Sequence, residues 1–421
     1  MKTGHGNEGQ PAPDRLAVRT VPVTDPVDLV GRLAEPAALA WIRRGEGLAG
    51  WGEAARITLP AGEDRFTAGE KWLRELFDRA TIDDRVGLPG TGAVAFGSFT
   101  FDATCDGSVL VVPRIVFGRR DGTAWLTTIG DQAAPLRPAR PATAPAEVRW
   151  HDGSLPAPDW ELAVAAAVGR IRSGSLGKVV LARDLYATAS QDIDVRMLLR
   201  RLAGQYPDCY TFACAGLVGA TPELLIRRQD AEISSLVLAG TTPRGRDAGE
   251  DAALGAGLLS SAKDTEEHEY AVAGVRATLA PLCERLTVDS QPSLLRLANV
   301  HHLATAISGR LTQAQQGPDH SVLSLVAALH PTGAVCGTPT EAAMELIREL
   351  EGMDRGRYSG PVGWVDVHGN GEWGIALRCA EVDGSRARLF AGCGIVAGSD
   401  PEAELAETQA KFRPMQSALE A

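Results

Sequence analysis

The stretch Gly177-Lys178-Val179-Val180-Leu181-Ala182-Arg183 puts one lysine at the mouth of an apolar, β-type run. Partial desolvation there would disfavour the ammonium form and make the amine usable as a general base near neutral pH. Composition sharpens the point. Of 42 basic residues only five are lysines: Lys2, Lys71, Lys178, Lys263 and Lys411. Arginine cannot lose its proton, so a lysine here in an arginine-biased chain points to a need for an amine that can. A strand-edge lysine in water is the competing reading of the heptapeptide alone. Glu223 follows a Gly-Ala-Thr-Pro turn and precedes an apolar segment. Burial there would raise its pKa into the range of a general acid, whereas a turn in water would leave it an ordinary carboxylate.

Two further stretches carry acidic pairs. Asp264 and Glu267 are three apart in a helical pattern, and Glu404, Glu407 and Lys411 fall at i, i+3 and i+7 in another. Each pair shares a helix face. Two such helices could face each other across one divalent ion, and hard carboxylate oxygens suit Mg²⁺. A solvated charged face fits either helix equally well. Gly240-Thr241 and Gly392-Cys393-Gly394 are small-residue turns at strand ends, where backbone N–H groups can approach an anion. Arg378 could clamp a carboxylate with two parallel hydrogen bonds. His302 is a candidate hydrogen-bonding residue, although a histidine beside apolar neighbours is more often structural.

The elements that must position these residues read as α+β. Ordinary globular composition, 44% hydrophobic and 23% charged over 421 residues, supplies a large core. A net charge of −11 argues against nucleic acid or an anionic membrane surface as partner. Seven scattered cysteines without metal-type spacing read as free thiols in a reducing cytosol. With no signal-type or spanning apolar run, a cytoplasmic protein is expected. Residues 1–14 read as a disordered N-terminus, 15–132 as a looser part of the scaffold, 133–147 as a linker-like connection and 148–421 as the catalytic part. Helices are expected at Glu70 to Arg79, Trp160 to Ser173, Asp194 to Tyr206, most of Asp247 to Leu286, Ser321 to Leu329, Thr340 to Leu350 and Glu402 to Ala418. Strands are expected at Ala93 to Phe101, Ser108 to Phe117, Thr123 to Ile129, Lys178 to Ala189, Tyr210 to Val218, Leu224 to Arg228 and Ile233 to Leu238. Three more close the chain: Tyr358 to Val367, Glu372 to Val382 and Ala387 to Ile395. Hairpin-linked strands with helices grouped between them argue for antiparallel sheets.

The ordered series GKVVLAR, GATPELL, LAGTTPRG, SAKDTEEHEYAV, HHLAT, LHPTGAVCGTPTEAA, RYSGPVGW, GEWGIALRCAE and LFAGCGIVAGSDPEAELAETQAKF resembles the chorismate-utilising enzymes. These are the isochorismate, salicylate, anthranilate and aminodeoxychorismate synthases. The resemblance spans Trp160 to Leu419 and is looser over Ala93 to Ile129. It implies one large anthranilate synthase component I-like fold, with orthogonally packed antiparallel β-sheets flanked by helices and a Mg²⁺-dependent site. By resemblance, Lys178 activates water and Glu223 protonates the departing 4-hydroxyl of chorismate. Glu267 and Glu407 hold Mg²⁺, with Asp264 and Glu404 nearby. Gly240, Thr241, His302, Ala334, Tyr358, Arg378, Gly394 and Lys411 contact the substrate. Ammonia-using relatives lack the lysine, so no glutamine amidotransferase subunit is expected, and nothing demands a partner chain. The nearest resemblance is to isochorismate synthases, with salicylate synthase as the alternative. Tyr358 is compatible with both, whereas Ala334 stands where the lyase-active relatives resemble one another in having threonine. A non-catalytic chorismate-binding relative is disfavoured by the intact Lys178, Glu223, Glu267 and Glu407.

Overall fold

The computed structural model describes residues 16–24, 27–34, 37–130, 141–298, 300–317 and 320–420. The expected disordered N-terminus and residues 133–140 of the linker-like stretch lie outside them, while 141–146 have no regular structure. Among the described residues the chain builds two sheets, one of 13 strands and one of 10. The larger runs in the order Arg149–Asp152, Lys178–Thr188, Arg386–Ile395, Cys379–Asp383, Leu217–Thr221, Tyr210–Cys214, Leu39–Arg43, Glu46–Trp51, Ile115–Arg120, Thr123–Ile129, Leu16–Val23 and Ala80–Asp84, with Gly337–Thr338 beside the Lys178 strand. The smaller runs from Cys283–Val288 through Val300–Leu311, Glu232–Pro243, Leu224–Gln229, Gly371–Ile375, Pro361–Asp366, Val94–Ser98 and Ser108–Val112 to Ala55–Leu59, with Ser293–Arg296 on the Val300 strand. Pairing is antiparallel except where Leu16–Val23 meets Ala80–Asp84. Both sheets join the two parts of the chain, since Thr211 pairs Ile42 and Val362 pairs Ser98.

Three apolar layers hold this together. Trp41, Leu48, Val116 and Phe212 of the larger sheet meet Phe96, Val111, Leu224 and Trp364 of the smaller in one buried cluster between them. A second covers the larger sheet with the helices Val195–Gln205 and Pro401–Glu420, and a third packs Arg65–Phe77, Ala157–Arg172, Ala262–Leu279, Val322–Leu329 and Thr340–Leu350 against strands of both sheets. The architecture is α+β. No described helix is long and apolar enough to cross a membrane.

Several strands read as continuous are in fact broken, and the breaks carry the topology. Ser108 to Phe117 splits into Ser108–Val112 in the smaller sheet and Ile115–Arg120 in the larger. Pro113, which has no N–H to give a ladder, stands between them. Tyr210 to Val218 is a hairpin, Tyr210–Cys214 and Leu217–Thr221, turned at Ala215 (φ 48°) and Gly216 (φ 86°). Two positive φ angles match the twist of a two-residue hairpin loop. Glu372 to Val382 also divides, into Gly371–Ile375 and Cys379–Asp383 in different sheets, and Arg378 sits at the crossing with φ 49°. The strand expected from Tyr358 begins only at Pro361.

Asp247 to Leu286 is two helices, Ala248–Ser260 and Ala262–Leu279, then the strand Cys283–Val288. The helices part at Ser261, whose Oγ accepts from Asp264 N at 3.2 Å and so caps the second. The twelve-residue strand Val300–Leu311 was not foreseen, because its first six residues are buried on both faces and show no alternation.

One buried ion pair braces the Lys178 strand. Arg355 and Glu351 are both under 4% exposed. Arg355 donates to Val335 O at 2.9 Å and Val180 O at 2.8 Å, and Glu351 accepts from Ala182 N at 2.7 Å. Removing one partner strands the other in the core. Arg355→Met is therefore expected to lose about 3–5 kcal/mol of unfolding free energy, read from urea denaturation. An unshifted midpoint would show that the brace is dispensable.

Candidate active site

A cleft opens where the Lys178 and Arg386–Ile395 strands, the end of the Glu232–Pro243 strand and the helices Ala262–Leu279 and Pro401–Glu420 converge. Glu223, Gly240, Thr241, Asp264, Glu267, His302, Ala334, Tyr358, Arg378, Gly394, Glu404, Glu407 and Lys411 all line it. Lys178 lies behind them. Alternation along its strand turns Val179 and Leu181 toward the helix-side core and Val180 toward the cleft, the face that Lys178 shares. It is 1% exposed, and its Nζ is 2.9 Å from Glu267 Oε1. That contact is an ion pair by distance but is not aligned as a hydrogen bond, so Nζ has no hydrogen-bond partner among the described residues.

Burial opposes ionisation of Glu267, but Lys178, Lys411 and Lys263 together outweigh it and hold the carboxyl below its ordinary value. Glu223 has the opposite balance. Burial pushes it up to about 8, against the pull of Lys178 and Lys411. Its backbone N–H donates to Thr221 Oγ1 at 3.2 Å, which fixes the turn that delivers it. At neutral pH the cleft therefore holds a protonated carboxylic acid, the form a general acid needs, with the Lys178–Glu267 pair at its back.

The remaining carboxylates come from two helices, as the spacing implied. Asp264 and Glu267 lie on Ala262–Leu279, Glu404 and Glu407 on Pro401–Glu420. Lys411 Nζ is 2.6 Å from Glu407 Oε1 and donates to Gly392 O at 2.8 Å. Lys263 Nζ is 3.8 Å from Glu404 Oε1. Glu404 is pushed up by burial and by the neighbouring Glu407. No set of three or more His, Cys, Asp or Glu side chains converges on one point among the described residues. The donor set is nonetheless all hard oxygen, and it is crowded enough that Glu404 and Glu407 repel. Such a set fits Mg²⁺ by chemistry, with three lysines sharing the charge a cation would balance. Lys263 was missed as a site residue. The scarcity of lysine was the available signal, since three of the five in the chain stand at this cleft.

Glycine at 394 leaves room for the ends of two site side chains. A Cβ there would lie 2.5 Å from Glu267 Oε1 and 2.9 Å from Lys178 Cε. Gly394→Ala is expected to push this pair apart and cut turnover at least about tenfold, as misplacement of about 1 Å does elsewhere, with the urea midpoint nearly unchanged. Wild-type turnover in that variant would remove the pair from the working site.

On the far wall Tyr358 stacks on Phe390, centroids 5.1 Å apart and planes within 7°. His302 Nδ1 meets Thr241 Oγ1 at 3.0 Å and Gly240 O at 3.3 Å. Burial, with Arg378 and Lys411 nearby, pushes His302 down to about 3, so the ring is neutral, and its Nε2 has no partner among the described residues. Arg378 is 8% exposed and faces the same space. An anion carrying a ring would find cations at Arg378, Lys411 and Lys263, an aromatic wall, an acid at Glu223 and an amine at Lys178.

The family model for chorismate binding enzymes matches residues 132–420. Isochorismate synthase DhbC of Bacillus subtilis is 44% identical over 282 residues, covering 64% of this chain and 70% of that protein. The salicylate biosynthesis isochorismate synthase of Pseudomonas aeruginosa is 46% identical over 266 residues, 62% of this chain and 55% of that protein. Among solved structures, MenF, the menaquinone-specific isochorismate synthase of Escherichia coli, superposes with a TM-score of 0.80 at 25% identity, over 98% of this chain and 96% of that one. The cleft, the order of its motifs and these likenesses agree, and the chain belongs to the chorismate-binding enzyme family.

Proposed function

We propose that this protein is an isochorismate synthase, converting chorismate to isochorismate by adding water at C2 and expelling the C4 hydroxyl. The observation that carries the reading is Glu223, lining the cleft and protonated at neutral pH through burial, with the buried Lys178 close enough to act on its charge. In this mechanism Lys178 takes a proton from the attacking water while Glu223 gives its proton to the departing C4 oxygen. The two ring double bonds shift between these centres, so acid and base must act on different sides of the ring. Arg378 and Lys411 meet the substrate carboxylates, with Gly240, Thr241, His302, Tyr358 and Gly394 shaping the cleft and Ala334 leaving it room. Glu267 and Glu407, with Asp264 and Glu404 beside them, would hold Mg²⁺. The bound ion would supply positive charge to a substrate carboxylate in an otherwise acidic protein.

The same reading makes the protein a cytoplasmic enzyme that works as a monomer without an amidotransferase subunit. The cysteines, all unpaired, suit a reducing compartment. Incubating the pure protein with chorismate and Mg²⁺, then separating the products, tests the reaction. Isochorismate alone is the expected result. Prompt salicylate with pyruvate would favour the salicylate synthase alternative, and no turnover would overturn both.

A further inference from the structure

We propose that Ser359 contacts the substrate, its hydroxyl joining the Arg378 guanidinium to receive one carboxylate of the ring. The inference rests on the reading of the cleft as a chorismate site. Ser359 lines that cleft and is 1% exposed, yet its Oγ has no hydrogen-bond partner among the described residues. Buried hydroxyls are nearly always paired, because an orphan forfeits its hydration for nothing. Tyr358 is the polar neighbour. Burial pushes its phenol up and Ser359 eases it slightly down, but the two hydroxyls do not meet in hydrogen-bond geometry.

The backbone adds an independent observation. Ser359 has φ 60°, a region in which glycine is at ease and serine is not. A glycine at 359 would hold the same turn with less strain, so what serine contributes there is its hydroxyl. The conformation is imposed from across the sheet crossing: Ser359 N donates to Ala376 O, and Ala376 N to Gly360 O, each at 2.9 Å. Two residues beyond Ala376 stands Arg378, likewise left-handed at φ 49° and buried, with burial lowering its pKa. Two strained residues on hydrogen-bonded neighbouring segments thus line one cleft, and each brings a donor group. Strain of this kind persists where the surroundings enforce it, commonly at ligand sites. The fitting partner is an acceptor that arrives from solution, and a carboxylate can take both donors at once.

Steady-state kinetics with chorismate and Mg²⁺, and thermal melting with and without chorismate, on wild type, Ser359→Ala and Ser359→Gly test this. Loss of a hydrogen bond to a charged group should raise KM about tenfold or more in both variants, with kcat within about threefold. Melting of the free protein should be unchanged in Ser359→Ala and raised in Ser359→Gly, and the stabilisation by chorismate should shrink in both. Unchanged KM on an active wild type would overturn the Ser359 contact alone. A lowered melting point in Ser359→Ala with wild-type KM in Ser359→Gly would assign a structural role and overturn it too. A wild type that neither binds nor converts chorismate would overturn the reading beneath it as well.

Discussion

Glu223→Gln is expected to abolish product formation, by about 10²–10⁴-fold or more, while chorismate still binds. The amide keeps the shape of the acid but cannot deliver its proton to the leaving C4 oxygen. Because burial pushes Glu223 up to about 8, wild-type kcat/KM should fall above about pH 8 as the acid form is lost. The same shift has a consequence for stability. The folded chain holds this proton more tightly than the unfolded chain, whose glutamate keeps its ordinary value near 4.5. The contribution of Glu223 to stability is therefore greatest at low pH and is lost as pH rises from about 4.5 to about 8. Glu223→Gln should flatten that part of the pH–stability curve. Urea midpoints across the range check the sign, and a variant curve parallel to wild type would deny the raised pKa.

Lys178→Met should have an effect of similar size on turnover and a larger one on stability. The base is lost, and Glu267 is left in the cleft wall without its nearest cation. Breaking a buried pair from one side costs about 3–5 kcal/mol, reduced here because Lys411 and Lys263 also act on Glu267. Stopped-point assays with a urea melt on the same preparation separate the two effects. Near-normal turnover in Lys178→Met would sink the base assignment. A stable, inactive variant would mean that the pair matters for chemistry and little for the fold.

Much of this was legible in the residues. The i, i+3 acidic spacing placed Asp264 with Glu267 and Glu404 with Glu407 on single helices, and both helices reach one cleft. The position of Glu223 between apolar strands allowed burial or a turn in water, and the fold buries it. Other features were not local. Whether Ser108 to Phe117 and Glu372 to Val382 continue in one sheet or cross to another depends on what the far ends pair with, and periodicity is blind to that. The second crossing brings Arg378 to the cleft and fixes the turn at Ser359. Lys178 was legible as a lysine at a strand mouth. Its pairing with Glu267, 89 residues along the chain, is a tertiary fact. The first half of Val300–Leu311 escaped because a segment covered on both faces loses the alternation that marks strands.

In the proposed mechanism Lys178 and Glu223 together exchange a solvent water for the C4 hydroxyl. This exchange is tested most directly by running the reaction with chorismate and Mg²⁺ in ¹⁸O-water and analysing the product by mass spectrometry. The expected product is isochorismate carrying one solvent oxygen at C2. Isochorismate without the label would mean that the hydroxyl migrates within the substrate, and the water-activating role of Lys178 would be contradicted.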